Sequence, residues 1–206
     1  MKEQELINDP YNIIITGVGG QGNVLASRMV GEMLSMQGFD ITIGETFGAS
    51  QRGGSVMSHL RVSKNGEYSP QIPLGCAHMV VSLEPTEALR VLKNYGNPDV
   101  KVITNMRPVR SVGVISGEQS YPDAQRIKEW ISELSEKAWF VDTTEAATRL
   151  GNPIFGNVML VGALAQAGNL PLGRDVFESV LRGRMPENKI AVNLKAFDIG
   201  RQMIKG

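Results

Sequence analysis

Residues 12–22 read NIIITGVGGQG, a short apolar run that passes directly into Gly17-x-Gly19-x-x-Gly22 and then into a helical pattern. A strand, a tight turn and a helix in that order open a doubly wound α/β domain. Gly17 permits the sharp turn, Gly19 brings backbone amides within reach of an anion or another chain, and Gly22 lets the helix pack close to the strand. Gly20 stands in the same turn. A bound dinucleotide does not follow from these glycines alone, because the same residues also serve packing.

Working outward, Val24, Leu25, Met29, Val30, Met33 and Leu34 recur at helical spacing, and Gly38 follows as a stop. Residues 41–44 are β-prone and lead to Glu45, after which TFGASQRGG carries no periodicity. That stretch predicts a loop at the C-terminal end of a strand. Residues 55–62 alternate, Asn65-Gly66 is a turn signal, and residues 68–72 are expected to return as the partner strand of an antiparallel hairpin. Pro70 would confine that return to an edge. Strands are expected at 78–83, 101–104 and 139–141, and helices at 86–93, 122–136, 143–150, 156–167, 175–184 and 194–205. The fold predicted is a three-layer, mostly parallel, doubly wound (Rossmann-like) α/β sheet with one antiparallel hairpin addition. A length of 206 residues fits a single domain, preceded by a polar segment over 1–11.

Lys plus Arg and Asp plus Glu both number 21, so the chain has no basic excess with which to neutralise a phosphate backbone. Nucleic acid is not an expected partner. The N-terminus lacks the order of a signal peptide, and no apolar run approaches the roughly 20 residues that span a bilayer. A reducing cytoplasm is the expected compartment, with no membrane contact. The single cysteine, Cys76, is expected to be a buried structural thiol, and alone it cannot hold an iron–sulfur cluster. His59 and His78 have no cysteine or carboxylate at ligand spacing, so no metal site is expected.

Ligand crevices in such sheets lie beyond the strand C-termini, where Gly17 to Gly22, Glu45 to Gly54, Glu84, Asn105 and Asp142 are expected. Glu45 follows Gly22 by 23 residues, near the spacing of about 20 for an acid that binds a ribose hydroxyl. The same residue could instead cap or salt-bridge the neighbouring loop. Ser50-Gln51-Arg52-Gly53-Gly54 sets a fixed cation beside unshielded amides, where an anion or a partner chain could dock. A surface turn with positive φ is the plainer reading. Neither a Gly-x-Ser-x-Gly elbow nor a Lys-containing P-loop is present.

Taken together, GVGGQG, ETFGASQRGGSVMSHLRV, YSPQIP, SLEPTEALR, GNPIFGNVMLVGALA and VNLKAFDIGR resemble the gamma-type domain of the 2-oxoacid:ferredoxin oxidoreductase family, and most of all its indolepyruvate branch. The resemblance implies a subunit of an enzyme that oxidatively decarboxylates an arylpyruvate with coenzyme A, giving an aryl-acetyl-CoA, carbon dioxide and reduced ferredoxin. It implies thiamine diphosphate and iron–sulfur clusters on a larger partner subunit, with this chain inactive alone. Arg52 would then present positive potential toward a 2-oxoacid carboxylate or a coenzyme phosphate. Gly17, Gly19, Gly20, Gly22, Glu45 and Glu84 would serve cofactor binding or the subunit interface. Two other readings stay open: a free-standing nucleotide-binding reductase or dehydrogenase, and a scaffold subunit that never enters the active centre.

Overall fold

A computed structural model describes residues 6–48, 54–110, 112–118, 120–168 and 170–204. Among these, β1 (Tyr11–Val18), β2 (Asp40–Phe47), β3 (Ser55–Ser63), β4 (Met79–Ser82), β5 (Lys101–Asn105) and β6 (Lys137–Val141) form one sheet. The helices are α1 (Asn23–Ser35), α2 (Pro85–Tyr95), α3 (Val112–Ile115), α4 (Ala124–Glu133), α5 (Thr143–Arg149), α6 (Phe155–Ala167), α7 (Arg174–Arg184) and α8 (Glu187–Met203). No helix among the described residues is long and apolar enough to cross a membrane.

Every residue of β1 is buried, which is why its centre, Ile13, Ile14 and Ile15, is a continuous apolar run rather than an alternation. Successive side chains leave a strand on opposite faces. Ile13 and Ile15 therefore join α1, α6, α7 and α8 in one core, while Ile14 joins α2 and α4 in the other. Each such isoleucine contributes about 1.5–3 kcal/mol by its burial. Helix α6 buries Val158, Met159, Leu160, Val161, Ala163 and Leu164 and so has no polar stripe. It meets α8 backbone to backbone: a Cβ on Gly162 would lie 2.1 Å from the Phe197 carbonyl oxygen, and one on Gly200 only 1.8 Å from that of Met159.

The strand order is β2-β3-β1-β4-β5-β6. Strands β1, β4, β5 and β6 are parallel, and β3 runs antiparallel between β1 and β2. From β1 the chain first builds β2 and β3 on one side and then β4, β5 and β6 on the other. Strand order thus reverses between β1 and β4, and a crevice opens beyond their C-termini.

The α/β sheet with helices on both faces and an antiparallel pair agrees with the sequence reading, but the hairpin is paired differently. Strand β3 turns back on β2, in register from Asp40↔Ser63 to Phe47↔Val56, and not on residues 68–72. Gly66 does turn the chain, with φ 127°. The segment after it crosses the face of β2 and β3 instead of extending the sheet. A Cβ on Gly44 would lie 2.9 Å from Pro70 Cβ, Ile72 N donates to Nδ1 of His59 at 3.4 Å, and Arg61 donates to the Ser69 carbonyl at 3.0 Å. Both edges of β3 are already filled, so the edge position expected for the return strand belongs to β2. Since β2 runs on to Phe47, Glu45 is a strand residue and not part of a loop.

Three smaller corrections follow. Helix α8 starts at Glu187 rather than near 194, because Pro186 caps it and Ile190 supplies an earlier buried contact. Helix α3 was not expected. Cys76 is exposed, since it sits in the turn before β4, with Sγ 3.4 Å from the Leu74 carbonyl oxygen.

Candidate functional site

The glycine turn closes the β1 side of the crevice. Val18 N donates to Gln21 Oε1 at 2.7 Å, Gln21 N to the Val18 carbonyl at 3.0 Å, and Gln21 Nε2 to the Leu83 carbonyl at 3.3 Å. Gly17 makes room for this folded-back side chain, because its Cβ would lie 2.8 Å from Gln21 Oε1 and 3.1 Å from Leu83 Cβ. Gly20 and Gly22 have φ of 98° and 91°, a region that side chains rarely adopt. Gly19 N donates to the Gly54 carbonyl at 2.7 Å. The amide that the sequence reading offered to an anion or another chain is therefore spent inside the chain, tying the turn to the end of the glycine-rich loop. Gly22 also caps α1 without a side-chain bond. The first amides of α1, at Asn23 and Val24, have no intrahelical acceptor and lie at the positive end of the helix dipole.

The β4 and β5 side is a saturated network. Glu84 is completely buried. Its Oε2 accepts from Thr86 Oγ1 at 2.6 Å and from Glu87 N at 3.0 Å, capping α2. Its Oε1 accepts from the Tyr121 hydroxyl at 2.5 Å and from Val109 N at 3.4 Å. Burial raises the Tyr121 pKa, and the hydrogen bond to Glu84 raises it further, so this phenol stays protonated and donating. Asn105 donates to the Leu83 carbonyl at 3.2 Å and to Thr144 Oγ1 at 3.0 Å, and accepts from Thr143 N at 3.0 Å. Three strand ends and the start of α5 are pinned together by these two side chains. The neighbouring Glu87 accepts from Ser55 Oγ at 2.5 Å, which fixes the first residue of β3.

Between the two sides lies a crevice of about 330 Å³. Its walls are Gly20, Gln21 and Gly22 on one side, Leu83, Asn105, Arg107 and Val109 on the other, and the start of α6 across the mouth, with Asn157 and Leu160. Arg107 is exposed and makes no ion pair with any described residue. Asn157 is 5% exposed, and its Nδ2 has no hydrogen-bond partner among the described residues. That amide packs on the glycine turn so tightly that a Cβ on Gly22 would lie 2.2 Å from Nδ2.

Of the residues singled out from sequence, Gly20 and Gly22 line the crevice, and Gly17 and Gly19 shape the turn behind it. Glu84 supports the wall from behind and has no oxygen left for a ligand. Glu45 is not brought to the crevice. It points from β2 to α1, where it pairs with Arg28 at 3.9 Å, a helix residue and not a residue of the neighbouring loop. Gly54 lies at the mouth through its bond to Gly19, while Ser50, Gln51, Arg52 and Gly53 fall outside the described residues. Sequence reasoning missed Arg107 and Asn157. The available signal was an asparagine opening a helix that is otherwise apolar all round.

A Rossmann-like mixed sheet with a self-capped glycine turn and a crevice at its switch point defines the chain as an α/β protein of the doubly wound class, without a catalytic set among its described residues. The chain belongs to the pyruvate ferredoxin/flavodoxin oxidoreductase family, whose model matches residues 12–203. It is similar to the indolepyruvate oxidoreductase subunit IorB of Pyrococcus horikoshii, with 39% identity across 95% of this chain and 96% of the relative. Its fold is that of the pyruvate oxidoreductase subunit PORC of Thermotoga maritima, with a TM-score of 0.69 and 19% identity over 95% and 97% of the two chains. The 2-oxoglutarate:ferredoxin oxidoreductase of Magnetococcus marinus, solved with 2-oxoglutarate, coenzyme A and succinyl-CoA, matches with a TM-score of 0.72 and 19% identity over 95% of this chain and 31% of its own.

Proposed function

We propose that the chain is the small subunit of a 2-oxoacid:ferredoxin oxidoreductase of the indolepyruvate type. The observation that carries this reading is the likeness to the Pyrococcus subunit along nearly the whole of both chains. The assembled enzyme would convert an arylpyruvate, coenzyme A and two oxidised ferredoxins to an aryl-acetyl-CoA, carbon dioxide, a proton and two reduced ferredoxins. Thiamine diphosphate would supply the electron sink for decarboxylation. One exposed cysteine does not fit an iron–sulfur cluster, which takes several thiolates, so the clusters belong to a larger partner subunit in the same cytoplasm. No electron-transfer step passes through this chain's own residues.

Its own part in this reading is to present the glycine turn and the loop of Ser50, Gln51, Arg52, Gly53 and Gly54 to the partner's active centre. The bond from Gly19 to Gly54 supports treating turn and loop as one unit. Arg52 would face the 2-oxoacid carboxylate or a coenzyme phosphate. The test is to recover the tagged chain from its anaerobically grown host and assay the eluate for coenzyme A-dependent viologen reduction by arylpyruvates. Activity that copurifies with a large cysteine-rich partner is expected, and Arg52→Ala should then raise KM or weaken assembly. A chain that elutes alone, without activity, would overturn the assignment.

A further inference from the structure

We infer that the free edge of β2 is a self-association surface, on which a second copy of this chain adds its own β2 antiparallel about a twofold axis at Gly44, joining two six-stranded sheets into one. The inference rests on the sheet and does not depend on the subunit reading. Its first support is the direction of the backbone groups. Gly48 N donates to the Ser55 carbonyl at 2.7 Å, which continues the β2–β3 register past Phe47↔Val56. Facing pairs in an antiparallel ladder alternate between exchanging hydrogen bonds and not. Asp40, Thr42, Gly44 and Thr46 therefore bond to β3, while Ile41, Ile43, Glu45 and Phe47 turn their N–H and C=O groups to the open side. No hydrogen bond from another described residue reaches those groups. Nor does the edge carry a device against pairing. Natural edges are blunted by shortness, lysine, proline or a bulge. The opposite edge strand, β6, is five residues long and opens on Lys137; β2 has eight residues, no lysine, no proline and no break in its register with β3.

The side chains select both the occupant and the register. Ile41, Ile43, Glu45 and Phe47 share the α1 face of β2, where Gly31 packs toward Ile43 and Ile41 and Arg28 reaches Glu45. Phe47 ends this row 47% exposed. With Gly44 opposite its symmetry mate, Ile41 faces Phe47 of the second copy and Ile43 faces its Glu45, and every outward N–H and C=O of the four residues is bonded. The exposed Phe47 is then covered by a β-branched neighbour, a favourable cross-strand pair formed twice by symmetry. A twofold normal to the sheet keeps both α1 helices on one side. The two Glu45 side chains become diagonal neighbours at the axis, and each Arg28, with its side chain 62% exposed, stands beside them to offset their charge. Moving the axis to Ile43 would set Ile41 opposite Glu45 and leave Phe47 beyond the paired strand. Moving it to Glu45 would set two like charges face to face.

The test is sedimentation equilibrium of the full-length chain, with amide exchange followed on the chain and on any complex recovered with a larger subunit. A dimer with a Kd below about 100 µM is expected. Phe47→Lys, at an exposed position, puts a charge on the edge and should weaken association at least about tenfold while unfolding stays cooperative. Ile43→Pro removes one outward N–H and should do the same; if that variant does not fold, Phe47→Lys decides. Ile115→Lys, at an exposed apolar position in α3, is the control and should change nothing. Disulfide trapping in the Cys76→Ser background reads the register. Ile41→Cys mixed with Phe47→Cys should cross-link the two copies, whereas neither variant should cross-link with itself, because positions six residues apart along a strand are separated by about 20 Å. A chain that stays monomeric up to about 300 µM overturns the inference. So does an equal loss in the Ile115 control, which would mean general apolar association, or a cross-link of 41 to 41 or 47 to 47, which would mean another geometry. Protection of the Ile41, Ile43, Glu45 and Phe47 amides only when a larger subunit is bound would give this edge to that partner and overturns it as well. Because the dimer is read on the chain itself, an inactive complex would count against the subunit reading and leave this inference standing.

Discussion

Glu84 and Asn157 are both buried polar side chains at one crevice, and they are built in opposite ways. Glu84 spends both oxygens on four donors, whereas the Asn157 amide nitrogen has no partner among the described residues. Both sit where a parallel sheet presents its strand ends to ligands. The difference separates a closed network from an open one: a saturated carboxylate holds the wall in place, and an unsaturated amide keeps a donor in reserve. Burial alone does not tell the two apart, and neither does position at a strand end. Counting the hydrogen bonds does.

The comparison can be broken most directly at Glu84. Glu84→Ala should cost about 3–5 kcal/mol, because it removes a helix cap and strands the Tyr121 hydroxyl and the Val109 amide; a shift of the urea midpoint measures it, and a loss under about 1 kcal/mol would show that the network is not structural. Gly22→Ala is expected to cost about 2–3 kcal/mol, from positive φ together with the collision with Asn157. If Asn157→Ala relieved none of that cost in the double variant, the packing between turn and amide would be wrong. Another unpaired buried atom, His59 Nε2, lies in β3 away from the crevice. Burial lowers the pKa of His59, so the unfolded chain binds the extra proton first. The stabilisation is complete above the unfolded imidazole value of about 6.5 and is lost as pH falls below it toward the depressed folded value. Melting curves between about pH 7.5 and 5.5 should show this decline, and His59→Gln should flatten part of it. The smallest effect is expected for Asn157→Ala, within about 1 kcal/mol of the parent, because the lost contacts are offset by removal of an unpaired donor. A penalty as large as that of Glu84→Ala would mean that Asn157 has a structural partner after all.

The sequence carried the parallel half of the fold because that half depends on local signals. The glycine turn, Glu84-Pro85 at the start of α2 and Asn105 at the end of β5 are each readable within a few residues. The hairpin failed for a physical reason. Asn65-Gly66 is a true turn signal, but whether the chain beyond it joins a ladder or crosses a face was decided by β2, through the bare surface that Gly44 offers to Pro70. The site divided in the same way. Gly17 and Gly22 were legible from spacing, and Glu84 was legible as a residue at a strand end, though not as one already saturated. Arg107 and Asn157 stand far from Gly22 in the chain, and only the folded sheet brings both to the same turn. Glu45 satisfied a spacing rule, yet β2 continues past it and directs it to Arg28.

The contact between α6 and α8 has a consequence for how this crevice could be redesigned. Helix α6 carries Asn157 and is locked by two bare-backbone contacts, at Gly162 and Gly200, against carbonyl oxygens that cannot yield. A larger side chain anywhere from Gly156 to Leu164, the buried stretch of that helix, is felt through the interior. The facing wall is the surface stretch from Arg107 to Arg110, exposed along its length, where substitutions disturb few neighbours. The crevice therefore has one wall that tolerates almost no variation and one that tolerates a great deal. A change in the shape or charge of this crevice, whether by selection in the laboratory or by divergence in nature, has its accessible route through 107–110.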